Sequence, residues 1–206
     1  MALDGTYSGL LASVASWLKR ADLVSSTPDL VVLAEARIAR DLRLRAQIVN
    51  GTMSTTGGVE FVALPPEFLE MENITLAGSV DRSLTYETPE QIDVRFPYGM
   101  AQGSPAAYTI IGDRLYFGPC PDQTYTIKTQ YYGRFAALAA TPTNWLLSKH
   151  PSIYLFATLA EAAPFMLDDN RAPMWEGKYA ADMKALQDAD DESLRSGSVM
   201  RVRTII

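Results

Sequence analysis

Cysteine is almost absent from this chain of 206 residues, since Cys120 is its only one. A single thiol excludes an intrachain disulfide and a metal cluster built from several cysteines of one chain. Cys120 stands between two prolines, where a turn residue is the ordinary interpretation and a nucleophile the alternative. The chain is 48% hydrophobic and 20% charged, which is typical of a soluble globular protein. Its length predicts one or two domains around an apolar core.

Histidine is equally scarce, and most catalytic motifs are missing. His150 is the only histidine; it lies between Lys149 and Pro151, where a helix start or a hydrogen bond is favoured over a general base. A Ser-His-Asp site would have to use it. The sequence also lacks a Gly-x-Ser-x-Gly elbow, a Gly-x-x-x-x-Gly-Lys-[Ser/Thr] phosphate loop and a His-Glu-x-x-His motif. We therefore expect no enzyme activity and no cofactor.

Clusters of acidic residues leave one route to metal binding open. Asp168–Asp169 and Asp190–Glu192 could bind a hard cation through oxygen atoms. The simpler interpretation is that both mark solvated helix boundaries, so no metal site is predicted.

Secretion and membrane signals are also lacking. Residues Met1–Gly5 have no basic start, and the most apolar stretch, from Ile153 to Leu167, contains Glu161 and Pro164. That stretch is shorter than the roughly 20 apolar residues that a membrane span needs. We expect an intracellular protein without a membrane segment.

Basic residues are too few for a protein that binds nucleic acid tightly. The chain has 18 lysines and arginines against 24 acidic residues, a net charge of −6 and a pI near 4.8. Between Glu161 and Glu192, nine acidic residues stand against three basic ones. Proteins that hold the phosphate backbone normally cluster lysine and arginine. This charge argues against a DNA-gripping protein.

Helical signals occupy both ends of the chain. Thr6 can cap a first helix that should end near Arg20, and Thr27 with Pro28 can start a second that runs to about Val49. The third helix lies in residues 141–167, which are so apolar that other helices must cover them. A fourth restarts at Pro173 and is amphipathic.

The middle of the chain has the pattern of strands. Tyr108–Ile111 and Arg114–Phe117 flank Gly112–Asp113, a two-residue turn typical of a tight hairpin. Residues 124–133 alternate apolar and polar side chains, as a half-buried strand does. Residues 59–64 and 72–76 predict shorter strands, and Thr88 caps a short helix that reaches about Phe96.

These patterns predict an α+β fold in which a bundle of four long helices carries a small inserted antiparallel β domain and an extended C-terminal tail. The bundle takes residues 1–50 and 141–192, the β domain takes 51–140, and the C-terminal extension takes 193–206.

Several motifs, in this order, resemble one known family. They are Leu64-Pro65-Pro66-Glu67-Phe68-Leu69-Glu70-Met71, Tyr86-Glu87-Thr88-Pro89-Glu90-Gln91, the Tyr108–Leu115 hairpin, Gly118-Pro119-Cys120-Pro121-Asp122 with Tyr125-Thr126, and Asn144-Trp145-Leu146-Leu147 followed by Pro151, Tyr154, Leu159, Ala160, Glu161 and Ala162. Together they resemble the adaptor, or head-completion, proteins of tailed bacteriophages and prophages. The resemblance covers roughly residues 29–186, and its motifs are structural rather than catalytic.

The resemblance implies a structural virion protein at the head-tail junction, assembled in the host cytoplasm. Such adaptors form a ring of identical subunits, a dodecamer in relatives with short tails, below the portal protein and above tail or nozzle proteins. The ring extends the DNA channel and is a platform for the tail. An acidic lumen would repel phosphates, so DNA would pass without sequence-specific binding.

The resemblance also suggests where this chain meets its partners. The C-terminal extension, which we expect to be extended or ordered only by a partner, is predicted to bind the portal or a neighbouring subunit through Val199, Arg201, Val202, Arg203, Ile205 and Ile206. On the second helix, Arg37, Arg40 and Arg43 are candidates for subunit contacts, or else for solvated pairs within the helix such as Arg37 with Asp41.

A second class of function stays open from sequence alone. The middle region could be a soluble peptide- or ligand-binding module with an aromatic recognition surface. Its tyrosines are Tyr86, Tyr108, Tyr116, Tyr125, Tyr131 and Tyr132.

Overall fold

Helices occupy both ends of the described chain, and strands occupy its middle. The computed structural model describes residues 3–97, 102–165 and 170–196. The chain divides into two compact units. The helical unit comprises Met1–Arg45 with Phe135–Ile206, and the β unit comprises Ala46–Arg134.

Within the described residues there are six α-helices. They are α1 (Tyr7–Leu18), α2 (Thr27–Asp41), α3 (Pro89–Arg95), α4 (Trp145–Lys149), α5 (Pro151–Ala162) and α6 (Ala172–Ser196). Helix α3 belongs to the β unit and the other five to the helical unit. Short 3₁₀ turns are formed by Ala21–Ser26, Arg45–Gln47 and Ala163–Phe165.

The first helix follows its sequence signals. The Thr6 side chain accepts a hydrogen bond from the backbone N–H of Gly9 at 3.1 Å, which satisfies one of the free donors at the start of α1. At the other end Lys19 is left-handed, with φ of 53°, and its N–H donates to the Ala15 carbonyl. The predicted cap and the predicted end near Arg20 are confirmed.

The predicted length and cap of the second helix are wrong. Thr27 is the first residue of α2, and its hydroxyl donates to the Leu23 carbonyl at 3.1 Å instead of capping. The helix ends at Asp41 because Leu42 is extended. Leu42 and Leu44 are both fully buried in the helical core, so alternate residues point inward there, as they do in extended chain.

Helix α5 lies at the centre of the helical unit and packs against α1, α2, α4 and α6. Its buried residues occur on almost every side, so the prediction that other helices must cover this stretch is confirmed. Asn144 caps α4 by accepting from the Leu147 N–H at 2.9 Å, and Pro151 begins α5. The core residues are Leu10, Val14, Leu18, Leu23, Leu30, Val31, Ala34, Ile38, Leu42, Leu44, Leu138, Leu146, Leu147, Ile153, Tyr154, Leu155, Ala157, Leu159, Ala162, Trp175, Tyr179 and Met183.

A half-buried carboxylate adjoins this core. Glu35 on α2 accepts a hydrogen bond from the backbone N–H of Leu138 at 2.8 Å. Burial raises the pKa of Glu35 above its ordinary value, and the hydrogen bond from Leu138 opposes that rise. The charged form of Glu35 is therefore disfavoured in the folded state.

We expect Glu35→Gln to stabilise the protein slightly at neutral pH. At pH values between the ordinary carboxyl pKa and the raised pKa of Glu35 in the folded protein, the native state binds more protons than the unfolded state. The wild-type free energy of unfolding therefore falls as pH rises through this range. Glutamine keeps an acceptor for Leu138 but carries no charge, so this fall disappears. Urea unfolding from pH 4 to 8 measures how the free energy of unfolding changes with pH in the wild type and in Glu35→Gln. Glu72→Gln, at an exposed position, is the control. Equal slopes in the wild type and Glu35→Gln would contradict the prediction.

The β unit consists of two four-stranded sheets and α3. Its strands are β1 (Ile48–Ser54), β2 (Phe61–Ala63), β3 (Phe68–Leu76), β4 (Arg82–Ser83), β5 (Thr85–Tyr86), β6 (Ala107–Ile111), β7 (Arg114–Gly118) and β8 (Thr126–Gly133). The strand orders are β1-β8-β3-β4 and β2-β7-β6-β5. Strands β5 and β6 are parallel, and the other pairs are antiparallel.

Two local predictions for the β unit are confirmed. The hairpin pairs Ile111 with Arg114 across a turn in which Gly112 has φ of +63°, a value that favours glycine. Thr88 and Gln91 form a reciprocal capping box at the start of α3. The core of this unit contains Ile74, Leu76, Leu84, Tyr108, Leu115, Phe117 and Ile127.

The predicted bundle of four long helices with a small inserted antiparallel β domain is wrong. The fold is α+β, but in its described part only α6, with 25 residues, is long, and α4 has five. The β unit has two sheets that include a parallel pair. One reason for the difference is that β1 begins at Ile48, inside the region predicted to be helical. Gly51 lies within β1, and a Cβ there would stand 2.9 Å from Thr129 Oγ1, so glycine lets β1 approach β8 without displacing that side chain.

The predicted extended tail is wrong at its start, because α6 continues to Ser196. Residues 197–206 lie outside the described residues.

Candidate assembly surfaces

Arg37 lies inside a cluster of charges in the helical unit. Its guanidinium forms an ion pair with Glu176 of α6, lies 3.5 Å from Glu161 of α5 and 3.8 Å from Asp41. It also lies 4.4 Å from the centre of the Tyr179 ring. The pKa of Arg37 is raised, first by its hydrogen bond to Glu176. Arg37 therefore ties α2 to α5 and α6 within one chain.

The other two arginines of this set have different surroundings. Arg43 donates from Nη1 to the carbonyls of Ala39 and Leu42, each at 2.7 Å, where α2 ends. Arg40 is exposed. The sequence alone could not distinguish the surroundings of these three arginines, whereas the structure does. Their role in subunit contacts stays a prediction, and Arg40 is the member whose side chain is accessible.

Replacing Arg37 with methionine should lower the free energy of unfolding by about 1 to 3 kcal/mol, between the values for exposed and buried ion pairs. The reason is that the side chain is only 19% exposed and its removal leaves Glu161 and Glu176 facing each other. Arg40→Met is the matched control and should change stability by less than about 0.5 kcal/mol. Urea unfolding of both variants measures the difference, and equal losses would contradict the assignment.

The acidic end of α6 also has partners within the chain. Asp190 accepts from Arg45 Nε at 3.0 Å and from the Arg45 backbone N–H at 3.2 Å. Among the described residues no three histidine, cysteine or acidic side chains are grouped closely enough to hold a metal ion. Asp168 and Asp169, the other candidate pair, lie outside the described residues.

His150 was considered as a general base and Cys120 as a nucleophile, and the structure shows the surroundings of both. His150 lies between α4 and α5, with its ring centre 5.6 Å from that of Trp145. Cys120 is half-buried, and burial raises the pKa of its thiol, with the nearby Glu60 carboxylate adding to the rise. A raised pKa disfavours the reactive thiolate.

The aromatic side chains of the β unit do not form one exposed surface. Tyr108 and Tyr131 are buried, and Tyr125 packs against the core of the unit. Tyr86 is 56% exposed, with its ring edge-on to Tyr108 at 5.6 Å. Most of these rings therefore contribute to packing, which weakens the case for a recognition module built from them.

A cavity of about 260 Å³ lies in the β unit, and sequence reasoning missed it. Helix α3 contributes Ile92, and Phe96 follows directly after this helix. Strands β6 and β7 contribute Thr109 and Tyr116, which are paired with each other. The remaining described lining residues are Gly58, Glu60, Pro89, Asp93, Pro97, Gln102, Ile111, Phe117 and Cys120. These positions are scattered over more than sixty residues, so no local pattern marks them.

The predicted C-terminal contacts at Val199, Arg201, Val202, Arg203, Ile205 and Ile206 lie outside the described residues and stay a prediction. As for membranes, none of the helices among the described residues combines the length and the apolar character needed to span a bilayer.

Comparison with known proteins identifies the family. The chain matches the family described as SU10 adaptor protein over residues 5–203. No curated protein matches it. Because the family match covers nearly the whole chain, including both units, this protein belongs to the SU10 adaptor protein family, a family of structural adaptor proteins of bacteriophages.

Proposed function

We propose that the protein is a head-to-tail adaptor that forms a ring below the portal, extends the DNA channel and provides the platform for tail attachment. The observation that carries this proposal is the family match over residues 5–203. The ordered structural motifs of the sequence support it. The partners are further copies of the chain, the portal protein and a tail or nozzle protein.

Within the ring each subunit contacts its two neighbours through two different surfaces, so the interface is heterologous. This arrangement follows because the ring has to match the rotational symmetry of a portal. A dodecamer follows for a twelve-fold portal. On α2, Val32 and Leu33 are 55% and 48% exposed, on the same helix as the accessible Arg40. Arg40 lies seven residues after Leu33, about two helical turns further along. A surface with apolar residues at one end and a cation at the other suits a neighbour with apolar and acidic groups.

The acidic character of the chain suits a conduit for DNA. A net charge of −6 repels the phosphate backbone, so DNA slides through during packaging and ejection without sequence-specific binding. The protein acts by position rather than by turnover, with no cofactor and no catalytic residue.

Mass measurement by light scattering tests the ring. The protein mixed with its portal should give a complex with one adaptor per portal subunit, whereas the free protein can remain monomeric, since binding to the portal raises the local concentration of subunits. Arg40→Glu should weaken this assembly while leaving the fold intact. Electron microscopy of tailed particles should place the density at the portal-tail junction, and density elsewhere would refute the proposal.

A further inference from the structure

The cavity of the β unit has the size of a site for one or two side chains. Its volume of about 260 Å³ is below the roughly 300 to 1,000 Å³ typical of sites for small molecules. Its apolar walls come from Ile92 of α3, from Phe96 just after this helix, and from Ile111 and Tyr116 of the sheet. It therefore suits an extended side chain with a polar end better than a whole cofactor.

The charged lining of this cavity is acidic. Glu60 and Asp93 line it, and neither forms an ion pair within the described part of the chain. The arginines of the flanking elements are engaged elsewhere, since Arg95 pairs with Glu87 and the Arg114 guanidinium lies 4.4 Å from the centre of the Phe61 ring. No basic residue belongs to the described lining. Such a site attracts a cation and repels an anion.

A hydroxyl without a partner also lies in this cavity wall. Thr109 is 1% exposed, and its Oγ1 has no hydrogen-bond partner among the described residues. A buried polar atom without a partner is costly and is normally satisfied by water or a ligand. The Phe96 ring packs directly over Gly118, where an added Cβ would lie 2.5 Å from it, so this aromatic wall is held in place.

We propose that this cavity receives an arginine of the C-terminal segment, residues 199–206, from a neighbouring copy of the chain. A guanidinium has five donors and no acceptor, so it can bind Glu60, Asp93 and Thr109 Oγ1 while its plane faces the aromatic walls. In an extended segment Arg201 and Arg203 lie on the same side, roughly 7 Å apart, and can meet two carboxylates.

Fully extended, the segment would reach well beyond the end of α6. Ten residues follow Ser196, the last described residue, and an extended chain of that length spans up to roughly 35 Å. The inference rests on the proposed function because the donor is a ring neighbour, and it names the acceptor of the C-terminal segment. The basic segment of one subunit would then bind the acidic cavity of the next.

The test uses the full-length Arg201→Gln/Arg203→Gln protein as receptor, so that its own arginines do not compete. A synthetic peptide of residues 197–206 is titrated into it by calorimetry. We expect saturable one-to-one binding. Asp93→Asn or Glu60→Gln in the receptor should each weaken binding about tenfold, and Thr109→Val should weaken it several-fold. Glu72→Gln removes an exposed acid of β3 in the same unit and should change nothing.

Several outcomes would overturn the inference. They are no peptide binding, binding that Asp93→Asn and Glu60→Gln leave unchanged, and equal binding by a peptide with both arginines replaced by glutamine. Circular dichroism checks that each receptor is folded. Because Asp93 is exposed, we expect Asp93→Asn to fold like the wild type. If the peptide fails to bind but rings still form on the portal, only this inference fails. If the peptide binds but no ring forms, the proposed function fails and the cavity assignment stands.

Discussion

Replacing Trp175 with alanine is expected to lower the free energy of unfolding by about 3 to 5 kcal/mol, which is a large part of the stability of an ordinary domain. Trp175 is the largest fully buried side chain of the protein, with 0% exposure, and belongs to the core of the helical unit. It lies in the first turns of α6, which packs against α5. Its removal leaves a cavity at the point where α6 meets the rest of this unit.

Trp175→Phe is the matched control. The indole N–H is buried without a hydrogen-bond partner among the described residues, so phenylalanine loses no hydrogen bond and keeps most of the apolar contact. We expect it to cost less than half as much as alanine. Urea unfolding followed by circular dichroism measures both variants. If the free energy of unfolding of Trp175→Ala lay within about 1 kcal/mol of the wild-type value, the stability of α6 would not depend on this side chain, contrary to the prediction.

The elements that could be predicted from sequence are those fixed by neighbouring residues. Thr6 caps α1 and Gly112 turns the hairpin because each acts on backbone within a few positions of itself. The end of α2 and the strand β1 could not be predicted in this way. Leu42 continues the helical spacing of Ile38, and only the buried pair of Leu42 and Leu44 makes the extended path favourable. Strand β1 was missed because it contains a glycine, Gly51, whose partner Thr129 is far away in sequence.

The candidate surfaces, too, could be predicted from sequence only in part. Arg37, Arg40 and Arg43 are equivalent in a sequence, since all three are cations on one helix. Arg37 differs from the others because it contacts acidic side chains of α5 and α6, which occur more than a hundred residues later. Arg43 differs because it donates to backbone carbonyls at the end of α2 itself. The cavity was missed for the same reason, because Glu60, Asp93 and Thr109 become neighbours only through strand pairing and the packing of α3. Long-range contacts therefore determine the structural role of Arg37 and the position of the cavity, and neither could be predicted from sequence.

Deleting the residues after Ser196 should abolish attachment to portal-bearing heads and leave the melting temperature nearly unchanged. The core residues of α6 are Trp175, Tyr179 and Met183, and Leu186 packs against them, so all of them precede the deleted segment. The deletion removes Arg201, Arg203 and the apolar residues between and around them, which we propose bind the portal or a neighbouring subunit.

Full-length protein with Arg201→Gln and Arg203→Gln separates the contribution of the charges from that of the apolar residues, because it keeps the apolar residues and lacks only the charges. Sedimentation of heads with bound adaptor measures attachment, and scanning calorimetry measures the melting temperature. Attachment of the truncated protein at the wild-type level would refute the role of this segment. A melting temperature lowered by more than about 4 °C would instead mean that the segment stabilises its own chain.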